Sequence, residues 1–409
     1  MTNRIQRREF ISQVAGTAVA AFGLTAPSVL CQAAENAKHN HRVLVVVEMA
    51  GGNDGLNCVV PHSDPAYRRS RESLRIDKDK TLAINTQLGF HSALRGFADL
   101  LEQGQLAVVQ GVGYPNPNRS HFESMDIWHT CLRKDQTRHD GWVGRYLEAA
   151  NLKNAADPAA LHLGSDKQPF ALMSRDIRVP SIQSLKQFRL NDNGSIDLKT
   201  TIRDLSAQSA VSDNDLLNFI QSSTSSAITA SERMESAAQV KASDSVFPKS
   251  ALGEKLQAVS QLITAGVDTR VFYVRIDGFD THASQPDAHA ALLREVSDSV
   301  STLVRELNRK GNGDGVLVMC FSEFGRRVAQ NASDGTDHGT AGPVFFAGNR
   351  VNAGLIGELP SMTDLDNGDL KYHTDFRSVY ATVLQDWFGT QSKPILGRAF
   401  ETIKLLEVS

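Results

Sequence analysis

The sequence predicts an α/β fold, a mainly parallel β-sheet flanked by helices. Short runs of β-branched and other apolar residues are continuous rather than alternating, as in strands covered on both faces. Between them, apolar residues recur at helical spacing, and this βαβα order is that of a parallel sheet with helices on both sides. Polar clusters follow strand after strand. In such sheets, ligands bind outside the carboxyl ends of the strands.

The elements follow in order. Arg42-Val-Leu-Val-Val-Val-Glu48 reads as a buried strand, and Met49–Asn57 as a glycine-rich turn at its carboxyl end. His91–Gln103 carries Leu94, Phe97, Leu100 and Leu101 at helical spacing. Gln105–Gln110 reads as a second strand, followed by a loop from Gly111 to Arg119. Leu252, Leu256, Val259 and Ile263 mark a helix, and Arg270–Arg275 a strand. Leu292, Val296, Val300, Leu303 and Leu307 mark another helix, Gly315–Cys320 a strand, and Pro343–Ala347 one more. Residues 184–245 are rich in Ser, Asn, Asp and Gln, with short apolar clusters such as Leu216-Leu217 and Phe219-Ile220. They read as a polar helical insertion at the periphery rather than a lid, since long polar loops more often solvate than gate.

Near the start, Gln6-Arg7-Arg8-Glu9-Phe10-Ile11 resembles a twin-arginine export signal. A weakly apolar run, Val14–Leu30, leads to small residues at Ala33 and Ala34. Basic start, short apolar core and small-residue end are the three parts of an export signal. The run is too interrupted by Gly, Thr, Ser and Pro to favour a stable membrane span. The expectation is a signal over 1–34 and a single domain over 35–409, exported folded by the twin-arginine machinery to a periplasmic or extracellular location. Leu30 before Cys31 is larger than the small residue a lipidation site needs. Cys58, Cys131 and Cys320 are odd in number and widely spaced, which fits neither a disulfide framework nor a zinc ribbon. A net charge of -3 without a basic block gives no electrostatic footprint for nucleic acid.

Four polar clusters lie at the expected strand ends: Asn53-Asp54; Asn118-Arg119-Ser120-His121; Gly278-Phe279-Asp280-Thr281-His282; and Ser322-Glu323-Phe324-Gly325-Arg326 with Thr336-Asp337-His338-Gly339-Thr340. Carboxylates and imidazoles distant in sequence would converge there. This ligand mix suits zinc, manganese or other divalent ions, and paired metals about 4 Å apart recur in phosphoryl transfer. Each pair alone has a plainer reading. Asp is favoured in turns, so Asp54 could shape one. Ser120 could cap a helix, with Glu123 completing a capping box. The recurrence after several strands is what argues for a site.

The strings Gly-Gly-Asn-Asp-Gly-Leu-Asn (51–57), Asn-Arg-Ser-His-Phe (118–122), Gly-Phe-Asp-Thr-His (278–282), Phe-Ser-Glu-Phe-Gly-Arg (321–326) and Thr-Asp-His-Gly-Thr-Ala-Gly-Pro (336–343) resemble the bacterial domain-of-unknown-function 1501 family, as does Asp364–Tyr380. The resemblance spans essentially the whole expected mature chain. It implies a twin-arginine signal and an alkaline-phosphatase-like fold, in a superfamily that hydrolyses or transfers phosphate and sulfate esters with divalent metals. Carried over residue by residue, it implies Asp54, Asp280, His282, Glu323, Asp337 and His338 as metal ligands and Ser120 as nucleophile. The Asp-His pair usual after the later strand is replaced here by Glu323-Phe324, so one imidazole is missing. Neither Cys58-Val-Val-Pro nor Cys131-Leu-Arg-Lys matches the formylglycine motif of sulfatases.

These observations lead to an expected exported hydrolase of phosphate or sulfate esters, with zinc, manganese or calcium as candidate ions. Ser120 or a metal-bound hydroxide would attack an anionic ester, and His121 would shuttle the proton. Arg119 or Arg326 would bind the ester oxygens. The competing expectation, favoured by Phe324, is a noncatalytic envelope protein that keeps the fold for binding or assembly.

Overall fold

The structure, a computed structural model, describes residues 42–155, 157–183, 224 and 245–407. The expected signal, and all of the expected insertion except residues 224 and 245, lie outside the described residues. Among the described residues no helix is long and apolar enough to cross a membrane.

The strands of the main sheet and of the hairpin beside it are β1 (Val43–Met49), β2 (Leu106–Gly113), β3 (Ala160–Leu163), β4 (Ser181–Ile182), β5 (Val271–Ile276), β6 (Val316–Phe321), β7 (Arg326–Gln330), β8 (Thr336–His338), β9 (Gly342–Ala347), β10 (Gly354–Ile356) and β11 (Thr374–Asp375). The main sheet runs β10-β2-β9-β6-β1-β5-β3-β4, with β11 beside β2. The four strands expected near Arg42, Gln105, Arg270 and Gly315 are all in it. β1 is flanked by β5 and β6, parallel to both. The Pro343–Ala347 strand differs from the parallel order: β9 runs antiparallel between β2 and β6. It is entered from the β7–β8 hairpin at the sheet's carboxyl edge, so its direction is reversed.

Alternate residues of β1 face opposite cores, as the strand period requires. Val45, Val47 and Met49 pack with α1 (Arg95–Glu102), α4 (Ala251–Thr264) and α5 (Gln285–Arg309). Leu44 and Val46 pack with α2 (His121–Thr130), α3 (Trp142–Ala149) and α6 (Phe376–Thr382). The helix expected from His91 begins later. Gly89–His91 is a short strand, and the His91 ring accepts a hydrogen bond from the Ala93 amide at the start of a 3-10 turn. Cys320 is buried in β6, and Cys58, Cys131 and Cys320 are free thiols.

Candidate metal centre

The parallel strands β1, β2, β5 and β6 end at one edge, and their following loops carry the polar clusters. Gly51 and Gly52 let these loops close up. A Cβ at Gly51 would lie 2.4 Å from the Asp280 nitrogen, and one at Gly52 would lie 2.4 Å from the Phe324 ring. Both have positive φ, which glycine alone adopts at little cost. The glycines of this turn therefore serve loop-to-loop packing. Helix α2 is seated by Trp128, which stacks on Phe321 at 5.0 Å and Phe376 at 4.5 Å. That stacking fixes His121 at the helix start.

Three imidazoles then converge on one carboxylate. Each is oriented by an acceptor on Nδ1. His121 Nδ1 meets Glu323 Oε1 at 2.7 Å, His282 Nδ1 meets Asp337 Oδ1 at 3.2 Å, and His338 Nδ1 meets the Arg119 carbonyl at 2.8 Å. With these acceptors Nδ1 carries the proton, which leaves the Nε2 lone pair directed inward. The Nε2 atoms of His282 and His338 are 2.9 Å apart and lie 3.0 and 3.2 Å from Asp280 Oδ1. His121 Nε2 is 3.4 Å from that oxygen, and it is buried without a hydrogen-bond partner.

Facing lone pairs and a carboxylate repel unless a proton or a cation lies among them. A tetrahedral ion with bonds of about 2.0–2.1 Å to N and O holds its donors about 3.3 Å apart, close to these separations. The donor atoms of His121, Asp280 and His338 all lie within 4.8 Å of one another. His282, in contact with two of the three, borders the site. A ring nitrogen fixed by a carboxylate or carbonyl is the usual support of a metal-ligating histidine.

The charges are tuned to match. Burial pushes the Asp280 carboxyl up, but the Arg326 hydrogen bond and the charges of Arg326 and His121 outweigh it, leaving it at about 2. The Glu323 hydrogen bond raises the His121 ring despite burial. Burial lowers the His338 ring.

Not every expected residue joins the cluster. Asp54 is fully buried, and both its oxygens are taken by Arg71, at 2.5 and 2.9 Å. Gln285 also donates to it at 2.6 Å while accepting from Thr281 and Thr336. Asp54 is thus a brace beneath the loops. Glu323 and Asp337 stand one layer out, each spending its carboxylate on a ligand's Nδ1 and on neighbours such as Gly51 and Asn331. Arg326 is no anion receptor. Its buried guanidinium donates to the carbonyls of Gly51, Gly52, Phe279 and Thr336 and to Asp280.

Ser120 occupies the N-cap position of α2, yet its hydroxyl makes no capping bond, and Glu123 pairs with Arg138 instead. Ser120 and Arg119 are exposed beside His121. Phe324 lies against two of the imidazoles, with ring centroids 4.9 Å from His121 and 5.1 Å from His338. His121, delivered from α2, places an imidazole beside the Phe324 ring. His121 was read from sequence as a proton shuttle. Its pairing with Glu323, 202 residues away, carries no local sequence signal.

Residues 107–393 match the model of a family described as "Protein of unknown function (DUF1501)", and the chain belongs to this family. No curated protein matches the chain. Among solved structures it is similar to the lipoteichoic acid synthase LtaP from Listeria monocytogenes, at 11% identity over 88% of this chain and 76% of that one, with a TM-score of 0.39. It is also similar to the PsFucS1 sulfatase from Pseudoalteromonas sp., at 11% identity over 93% and 75%, with a TM-score of 0.40. A protein in the alkaline phosphatase superfamily from Vibrio parahaemolyticus aligns at 8% identity over 87% and 69%, with a TM-score of 0.36.

Proposed function

We propose that the protein is an exported, metal-dependent hydrolase of phosphate or sulfate esters. One divalent ion would be held by His121, Asp280 and His338, with His282 at its border. The observation that carries this reading is the convergence of imidazole Nε2 atoms on Asp280 Oδ1, each ring fixed from behind. A donor set rich in imidazole suits zinc better than calcium, which takes oxygen ligands. When bound, such an ion polarises an ester oxygen and neutralises the charge that develops on it.

The chain's own residues supply the rest. Ser120, exposed at the start of α2 with its hydroxyl uncapped, is the candidate nucleophile. The amides of that first turn favour negative charge beside it. Asp280 and Arg326 hold the β5 loop against the β7–β8 hairpin, and Glu323 keeps His121 in one tautomer.

The test is metal content of the purified protein, then a panel of phosphate and sulfate esters, with H338A as control. Wild type should carry about one ion per chain and cleave at least one ester, and H338A should lose both. Protein that takes up no metal and cleaves nothing, even after incubation with zinc, manganese, magnesium or calcium, would instead be the noncatalytic envelope protein of the competing reading. Export by the twin-arginine route is tested by changing Arg7 and Arg8 to Lys and fractionating cells. Unchanged export of the double variant excludes that route.

A further inference from the structure

A pair of guanidinium groups lies beside the candidate metal centre, and the reading above leaves it unused. Arg119 and Arg327 both form ion pairs with the same carboxylate. Arg119 meets Asp369 Oδ2, and Arg327 Nε meets Oδ1 at 3.0 Å. Asp369 is wholly buried, whereas the two arginine side chains are 42% and 36% exposed. The carboxylate is an anchor, and the exposed faces belong to the cations.

Both arginines hang on the backbone segments that build the centre. The Arg119 carbonyl fixes His338, two residues before His121 on the same segment. Arg327 follows Arg326 in β7, which pairs with β8 at Arg326 and His338.

The pair is also underused. Among the described residues Arg119 has Asp369 as its only side-chain partner, and Arg327 has only Asp369 and the Asn367 carbonyl. Among the described residues, N–H groups remain free on both forks. Two cations on one buried carboxylate leave one positive charge uncompensated in the pair. Glu323, Asp337 and Asp280 lie close by, but Arg326 and a divalent ion would offset them.

We propose that Arg119 and Arg327 form a two-guanidinium clamp for a second anionic group of the substrate. The enzyme would then act on esters that carry a further phosphate, sulfate or carboxylate, rather than on esters of neutral alcohols. A guanidinium presents a planar fork that matches such oxyanions, and charge-assisted hydrogen bonds of this kind are the strong ones. An anion bound there would lie beside the ester group at the metal, which suits a substrate with neighbouring negative charges. The naming of the substrate class rests on the hydrolase reading, but the clamp itself can be read by binding alone.

The experiment is calorimetric titration of the full protein, metal-loaded and metal-free, with pyrophosphate and with orthophosphate. It compares wild type with Arg327→Gln and Arg327→Lys. Wild type should bind pyrophosphate more tightly than orthophosphate. Arg327→Gln should lose about tenfold in pyrophosphate affinity with little change for orthophosphate, and Arg327→Lys should recover part of it. An unchanged melting temperature shows that the variants are folded, as expected because Arg119 still pairs with the buried Asp369. Equal binding of the two anions by wild type, or an undiminished preference in Arg327→Gln, overturns the clamp. The same variants are assayed on aryl esters with and without a ring carboxylate. An intact pyrophosphate preference in a protein that cleaves no ester overturns the hydrolase reading and leaves the clamp. Turnover with no pyrophosphate preference does the reverse.

Discussion

Two polar clusters share the carboxyl edge of this sheet and are each built around one aspartate, but they are in opposite electrostatic states. The inner one, Asp54 with Arg71 and Gln285, is sealed from solvent, and every oxygen of its carboxylate has a donor. The outer one, His121, Asp280, His282 and His338, is partly open, and its nitrogens face one another and a carboxylate. A satisfied buried pair maintains shape. An unsatisfied group of donors, each locked in orientation by a neighbour, is built for something that arrives later. The comparison separates the carboxylates that support this structure from the one that converges with the imidazoles.

The largest expected effect belongs to the inner cluster. Arg71→Ala leaves Asp54 charged, buried and unpaired, and should cost about 3–5 kcal/mol of stability. Denaturant unfolding measures it. Replacing both partners, as R71M/D54N, should recover most of the loss, because the uncompensated charge is gone. A mild effect of Arg71→Ala would mean that the brace is not a brace.

The outer cluster should respond in the opposite sense. His338→Ala and Asp280→Asn should weaken metal binding at least hundredfold, about 3 kcal/mol, as read by competition with a chelating dye. Metal-free His338→Ala should be no less stable than the metal-free parent, since one of the repelling lone pairs has been removed. If the ion-free variant instead unfolds as readily as Arg71→Ala, the two clusters do the same job and the contrast fails.

The strands starting near Arg42, Gln105, Arg270 and Gly315 were legible in the sequence because β-branched runs such as Val43–Val47 have few other uses, whereas Ala160–Leu163, short and without a β-branched residue, was not. The direction of β9 was not, because Pro-Val-Phe-Phe-Ala reads the same either way. Asp280, His282 and His338 could be singled out because they follow strands that share an edge. Arg71 could not. Within Arg68-Arg-Ser-Arg71 it looks like one more surface charge, and only the fold turns it onto Asp54. The division between carboxylates that converge on the imidazoles and those that stand behind them was equally invisible. Glu323 and Asp280 differ in geometry, not in chemistry.

That division sets the next prediction. Glu323→Gln keeps an acceptor for His121 but removes the charge behind it. Metal affinity should fall about 10–100-fold, less than for a direct ligand. The pH dependence carries the sign. In the metal-free protein the Glu323 bond raises the His121 ring above its usual value. Its contribution to stability is therefore full below about pH 6.5 and lost as pH rises through the raised value. The Glu323→Gln protein should lose that slope, as followed by melting temperature across pH 5–8.

The smallest expected effect on stability is also the most informative about chemistry. A serine that caps a helix is worth about 1 kcal/mol, and at the N-cap position of α2 Ser120 has the right type and place. Its hydroxyl makes no such bond, however. The Ser120 amide is held by Asn118 Oδ1 at 2.8 Å, and Glu123, the partner a capping box would use, is paired with Arg138. Ser120→Ala should therefore change stability by less than about 0.5 kcal/mol, the range of an ordinary surface substitution, and leave metal stoichiometry intact. If the hydroxyl is the nucleophile, ester turnover should nonetheless disappear. Full stability, full metal and no turnover would set Ser120 apart both from the brace and from the ligands. A loss near 1 kcal/mol with turnover retained would return Ser120 to the role of a helix cap and leave the attacking group to be found elsewhere in the cleft.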